Sequence, residues 1–297
     1  MIRKLATILL TSLSFYMVGQ NMDDIEITVE QITPDYYVLK GAGGNIGLLV
    51  SAGEALMIDA QFAPLSVRLL DAIDHISPTL PSFLVNTHWH GDHTGGNGNF
   101  SDAGIQIVAQ EEVKTRLSEK QFIRAFSREV PPSPENYWPT VTFADSMTLT
   151  VGSEMVMLLH PTDSGHTDGD GIIYCVENDV LHMGDLYFQG RYPYVDLSTG
   201  GSVDGLIAGV KEALLLVGET TRVVPGHGNV TGRAGLEDYL EVVQTCRDIV
   251  SVLMKEGLSL DQIKAAKPLA KYDDQYGTGF IKPDAWIDTI YTDLSRS

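Results

Sequence analysis

The chain has 297 residues, enough for one large or two modest domains with a substantial core. Hydrophobic residues make up 43% of it and charged ones 20%, which excludes a disordered polymer, and its Gly 29 and Pro 13 follow no fibrous repeat. Asp+Glu 39 against Lys+Arg 20 gives a formal charge of −19; without any run of Lys or Arg, such a surface excludes a general binder of nucleic acid or anionic membrane.

The N-terminus comes first. Arg3 and Lys4 precede an apolar, uncharged stretch over residues 5–18, the pattern of a secretory signal peptide and too short to span a membrane comfortably. Gly19 or Gln20 would end it, although no Ala-x-Ala is present, and no nearby cysteine offers a lipid anchor. The expectation is therefore a signal over residues 1–20 and one domain over 21–297, periplasmic or secreted and without a membrane anchor. Nothing in the sequence speaks to the oligomeric state.

Short strands are predicted over 25–32, 36–40, 47–51 and 55–58, separated by Gly and Asp turns as in antiparallel hairpins. Gly41-Ala42-Gly43-Gly44 is one such turn, since no helix follows to make it a phosphate loop. Leu65, Leu69, Ala72, Ile73 and Ile76 mark a helix, with His75 off its apolar face. Strands over 83–85 and 105–109 follow, then a helix over 111–125 and a Pro-rich break at 131–134. The second half repeats the alternation, with strands over 141–143, 147–151, 155–159, 172–176, 180–183 and 223–224. Helices are predicted over 203–217 and along the stripe from Leu236 to Leu253. Cys175 falls in a strand and Cys246 on that stripe, so both read as small buried hydrophobes without metal-ligand spacing, and nothing positive supports a disulfide.

One segment carries the chemistry. Of eight histidines, three fall within His88-Trp89-His90-Gly91-Asp92-His93, directly after a buried strand. A loop there can project several side chains to one point, and Gly91, Gly95 and Gly96 allow the tight turn this needs. Imidazole and carboxylate are ligands that zinc accepts.

His-x-His-x-Asp-His after a strand resembles the signature of the metallo-β-lactamase superfamily. The remaining pieces of that pattern occur in order: Gly165-His166-Thr167, Gly184-Asp185 and Pro225-Gly226-His227-Gly228. The resemblance implies an αββα sandwich, two mixed β-sheets flanked by helices, with two zinc ions at one edge; other divalent metals suit the same ligands. It implies that His88, His90 and His166 bind one ion, that Asp92, His93 and His227 bind the other, and that Asp185 bridges them beside a shared hydroxide. Asp92 is the implied catalytic residue.

Departures narrow the subclass. No cysteine stands near Gly184-Asp185, which disfavours β-lactamases with a cysteine ligand and favours the third subclass and glyoxalase II or lactonase relatives, Asp185 leaning toward the latter pair. His90 stands where diiron flavoproteins of the superfamily carry glutamate, and nuclease branches have basic surfaces that this chain lacks. The expected function is an exported hydrolase opening a cyclic amide or ester of a small molecule, a β-lactam first. The alternatives are a lactonase or thioesterase, and a zinc-binding exported protein with incidental turnover. Loops over 114–139 and 186–202 would shape the substrate. Within the second, Tyr187, Arg191 and Tyr192 are candidate substrate contacts, competing with packing for the tyrosines and with a surface pair to Asp196 for Arg191. His160 and His182 read as supporting or buried polar groups, and Asp163, Asp168 and Asp170 as turn residues.

Overall fold

The computed structural model describes residues 21–124 and 127–296; the expected signal over 1–20 lies outside them. Hairpin turns string together β1 (Thr28–Gln31), β2 (Tyr36–Lys40), β3 (Ile46–Ser51) and β4 (Glu54–Ile58), each antiparallel to the last. Helix α1 (Ser66–Asp74) then crosses to β5 (Phe83–Val85), which lies parallel to β4. The short helices α2 (Gly91–Thr94) and α3 (Asn97–Asp102) lead into β6 (Gln106–Gln110) and α4 (Glu111–Ser118). A small hairpin, β7 (Gln121–Ile123) with β8 (Arg128–Val130), precedes β9 (Val141–Phe143), which closes a seven-stranded sheet in the order β1-β2-β3-β4-β5-β6-β9.

The second sheet has the order of its sequence. It comprises β10 (Ser146–Val151), β11 (Glu154–Leu159), β12 (Ile172–Cys175), β13 (Val180–His182) and, after helix α5 (Val203–Leu216), β14 (Arg222–Val224) parallel to β13. Helices α6 (Arg233–Lys255), α7 (Leu260–Ala266), α8 (Ala270–Tyr276) and α9 (Pro283–Leu294) complete the chain. Among the described residues no helix is long and apolar enough to cross a membrane.

Alternation along the strands builds the layers, because successive side chains point to opposite faces. Val38, Leu49, Leu56, Ile58, Val85 and Val108 meet Val156, Leu158, Ile173, Val180 and Val224 between the sheets. Their chain neighbours Leu39, Leu48, Met57, Leu84 and Ile107 turn outward onto Leu65, Leu69 and Ile73. On the far side Ile172, Leu181 and Val223 pack against α5, α6 and α9 through Leu206, Val243 and Trp286. This is the expected αββα sandwich. Cys175 belongs to the inter-sheet layer and Cys246 to the outer one, and both are free.

Two of the predicted elements end short of expectation. The helix predicted over 111–125 stops at Ser118, because Gln121 folds back and donates through Nε2 to the carbonyls of Arg116 (3.1 Å) and Glu119 (3.4 Å). The chain re-enters as β7, whose Ile123 is buried beside Trp89. The first strand is shorter than predicted, four residues; ahead of it Arg68 donates to the carbonyls of Met22 and Ile25.

Candidate metal centre

The parallel strands end at one edge of the sandwich, the place where open α/β sheets present ligand-binding loops. Asp59 follows β4, His88 to His93 follow β5, Asp185 follows β13 and His227 follows β14. The single turn of α2 swings Asp92 and His93 to the same side as His88 and His90. His166 comes from the turn before β12, where Asp170 accepts from the backbone N–H of His166 (2.7 Å) and of Thr167 (3.0 Å).

All seven residues converge. Ligand atoms lie within 4.8 Å of one another in three groups: His88, His90 and His166; His88, His93 and Asp185; and Asp92, His93 and His227. Asp185 faces both sides: Oδ1 is 3.2 Å from His93 Nε2 and 3.5 Å from His227 Nε2, while Oδ2 is 3.5 Å from His166 Nε2 and 3.9 Å from His88 Nε2.

Hydrogen bonds on the outer side of each ring decide which nitrogen faces inward. His166 Nδ1 lies 2.7 Å from the Tyr194 carbonyl, which can only accept, so Nδ1 carries the proton and Nε2 presents a lone pair. His90 Nε2 donates to Asp196 (3.1 Å), leaving Nδ1 as its inward lone pair. Asp59 holds two more rings: it accepts from His93 Nδ1 (2.7 Å) and from Thr87 Oγ1 (2.8 Å), whose oxygen in turn accepts from His88 Nδ1 (3.0 Å). His88 Nε2 is buried with no hydrogen-bond partner. A buried acceptor without a partner, set among other inward-facing lone pairs, is costly, and a cation resolves it. The donor set therefore fits a metal, and its nitrogen and oxygen atoms suit zinc.

The two sides differ in charge. Burial, with His93 and His166 nearby, lowers the His88 pKa well below its usual value, and burial brings His166 down to about 4. Burial also opposes charge on His93 and His227, but Asp185 and Asp92 outweigh it, lifting His93 well above its usual range and His227 to about 9. Burial would raise Asp92, but His93 and His227 hold it at about 2.

The Gly41-to-Gly44 turn, expected only as a hairpin, is also a wall of the site. A Cβ on Gly44 would stand 2.1 Å from His93 Cε1. Asn45 next to it donates to the carbonyls of Pro225 (2.8 Å) and Gly228 (3.0 Å), fixing the turn that carries His227. Phe188 stacks on the His227 ring at 5.4 Å.

The candidate substrate residues fare differently. Tyr187 and Tyr192 are 1% exposed and belong to the outer core, their hydroxyls bound to Thr231 and Asp273, so the substrate-wall reading of both is corrected. Arg191 is half-buried and makes no ion pair among the described residues; its expected partner Asp196 is buried and bound to His90 and Ser198 instead. His182 is a buried polar group as expected, accepting from Gly184 N, and burial lowers its pKa to about 4. His160 contacts the Asp170 carbonyl, His75 is exposed, Asp163 is exposed, and Asp168 pairs with Arg116. Asp59, Asp196, Tyr194 and Phe188 were not singled out for the metal site from sequence. The sequence offers for Asp59 only its place immediately after a buried strand; the structure adds that it is a non-glycine residue at φ 63.

Comparison with known proteins agrees with this geometry. An acyl-coenzyme A thioesterase of Gallus gallus is 24% identical over 244 residues, covering 74% of this chain and 86% of the relative. A hydroxyacylglutathione hydrolase of Nitrosococcus oceani is 28% identical over 186 residues, covering 62% of this chain and 60% of the relative. A solved metallo-beta-lactamase from Pontibacter korlensis superposes with a TM-score of 0.59 at 19% identity, over 74% of this chain and 99% of its own. The model of the metallo-beta-lactamase superfamily matches residues 39–227, a span running from β2 to His227. The chain belongs to that superfamily of metal-dependent, usually zinc-dependent, hydrolases.

Proposed function

We propose that the protein is an exported hydrolase with two zinc ions that cleaves the acyl bond of a small ester or thioester. His88, His90 and His166 would hold one ion, Asp92, His93 and His227 the other, and Asp185 both. The observation carrying this reading is the split of the Asp185 carboxylate, one oxygen toward each histidine group. A ligand that bridges through a carboxylate was read from sequence as the mark of glyoxalase II and lactonase relatives, and the thioesterase and hydroxyacylglutathione hydrolase similarities point the same way. Export rests on the basic and apolar N-terminal pattern of residues 1–20.

When bound, a zinc pair supplies a water ionised near neutral pH and a Lewis acid for the carbonyl oxygen. Asp92 is the more exposed carboxylate of the cluster, at 24% against 5% for Asp185. It is placed to take the proton of the attacking water and return it to the leaving oxygen or sulfur. A β-lactam amide is the second reading, favoured by Arg191, a half-buried cation on the loop after Asp185 with no ion pair among the described residues, whose guanidinium suits the carboxylate beside such an amide.

The test is turnover by the zinc-loaded protein of aryl thioesters, acyl-coenzyme A, simple lactones and a chromogenic cephalosporin, with and without chelator. Thioester or ester turnover that chelation abolishes and zinc restores is expected. Turnover of the cephalosporin alone would install the second reading, and turnover of none with zinc bound would overturn both.

A further inference from the structure

The segment from Tyr194 to Asp196 grips two of the three histidines of the all-histidine group. Its Tyr194 carbonyl accepts from His166 Nδ1 (2.7 Å), and its Asp196 N–H donates to the His166 carbonyl (2.9 Å). Asp196 Oδ2 accepts from His90 Nε2 at 3.1 Å. The Tyr194 ring lies 5.6 Å from the His90 ring and 5.7 Å from the His166 ring, so the pair is also packed from one side. Asp196 itself is 1% exposed, and its other oxygen, Oδ1, is committed to the N–H (3.0 Å) and hydroxyl of Ser198. The carboxylate cannot rotate without losing both sets of bonds.

His90 differs from the other inward-facing rings in the nitrogen it presents. His88, His93, His166 and His227 turn Nε2 toward the cluster, whereas His90 turns Nδ1, 2.8 Å from His166 Nε2. Free imidazole distributes its proton between the two nitrogens, and a proton on His90 Nδ1 would sit where a metal must bind. We propose that Asp196 is a positioning residue for metal binding, holding the proton of His90 on Nε2 so that Nδ1 is always a free ligand atom. The inference rests on the metal-binding part of the reading above and not on any substrate.

A rival role is open to Asp196, since it also caps the short turn Leu197–Thr199 through Ser198. Asp196→Asn separates the two. An amide in the same orientation keeps Oδ1 for Ser198 but turns its NH₂ group toward His90 Nε2, where a donor now meets a donor. The proton of His90 must then move to Nδ1 to accept that bond, which blocks the ligand position. Flipping the amide restores His90 but sets the NH₂ group against the Ser198 N–H. Ser198→Ala, by contrast, removes only the hydroxyl side of the cap.

The experiment titrates zinc into metal-free full-length protein in competition with a chromophoric chelator, and records the visible spectrum of the cobalt-loaded form. Asp196→Asn is expected to lower the affinity of one of the two bound ions by on the order of 10–100-fold, the usual effect of losing the outer partner of a ligand histidine, and to alter the cobalt spectrum. Ser198→Ala is expected to leave both affinities and the spectrum unchanged. Equal losses in the two variants, or wild-type affinities and spectrum in Asp196→Asn, would overturn the proposal while leaving the hydrolase reading intact. Should Asp196→Asn not fold, nitrogen–proton correlation spectra of metal-free wild-type protein decide: the His90 proton on Nε2 is expected, and a proton on Nδ1 overturns it.

Discussion

His90 Nδ1 and His166 Nε2 stand 2.8 Å apart, with the protons of both rings turned outward to Asp196 and to the Tyr194 carbonyl. Both rings are buried, His90 at 5% exposure and His166 at 0%. Lone pairs facing each other in the interior are unfavourable by the cost of two unmade hydrogen bonds, on the order of 1–3 kcal/mol each, unless a cation lies between them.

The charge contrast across the cluster predicts an asymmetric pH dependence. His88 and His166 have lowered pKa values and are neutral at pH 7, whereas His227, at about 9, and His93, higher than usual, hold protons that an incoming ion must displace. Ligation by Asp92, His93 and His227 should therefore strengthen as pH rises, by at least about tenfold per unit below the His227 value of about 9. His88 and His166 should contribute no such slope between pH 6 and 9. Calorimetric titration in buffers of different ionisation enthalpy counts the protons released; uptake of both ions without proton release would contradict this assignment.

Asp92→Asn keeps an oxygen donor but removes the charge that would accept a proton from the attacking water. Turnover of the metal-loaded variant is expected to fall by on the order of 10²–10⁴ with KM little changed. Near-normal kcat would remove Asp92 from the chemistry.

Gly44→Ala places a methyl group 2.1 Å from His93 Cε1, and that ring cannot yield because Asp59 holds its other edge at 2.7 Å. The variant should hold less metal than the wild type and lose about 1–3 kcal/mol of stability through overpacking. Metal content by mass spectrometry and thermal unfolding read both; wild-type metal content with an unchanged Tm would show that the hairpin moves aside.

Arg191→Ala tests the half-buried cation on the loop after Asp185. If it anchors a substrate carboxylate, KM should rise for carboxylated substrates and stay put for neutral lactones. Equal effects on both types would assign Arg191 to packing, against Gly279, whose added Cβ would meet its stem at 3.0 Å.

Ligand identity was legible because it is local: three histidines and an aspartate in six residues announce a metal loop wherever the chain goes. The strands were legible through alternation, as at Leu56, Met57 and Ile58, which divide between two core layers. The outer partners were not, because Asp59 and His93 are 34 positions apart and Asp196 and His90 are 106, and only tertiary structure joins them. Tyr187 and Tyr192 misled for the opposite reason: closeness to Asp185 along the chain says nothing of direction, and both rings turn into the helical layer. Gln121 ended a helix through a side-chain cap that helical periodicity does not register. The C-terminal helices escaped the reading altogether, though the Ser259 and Gln262 capping box of α7 and Pro283 at the start of α9 are signals of helix starts.

The central claim is that one carboxylate joins two metal positions. A crystal structure of the zinc-loaded protein, with anomalous data at the zinc edge, tests it most directly. Two ions roughly 3.5–4 Å apart are expected, the usual two-metal spacing, one among His88, His90 and His166, the other among Asp92, His93 and His227, with an Asp185 oxygen on each. A single ion at full zinc saturation, or two ions with Asp185 turned away from either, would contradict the account.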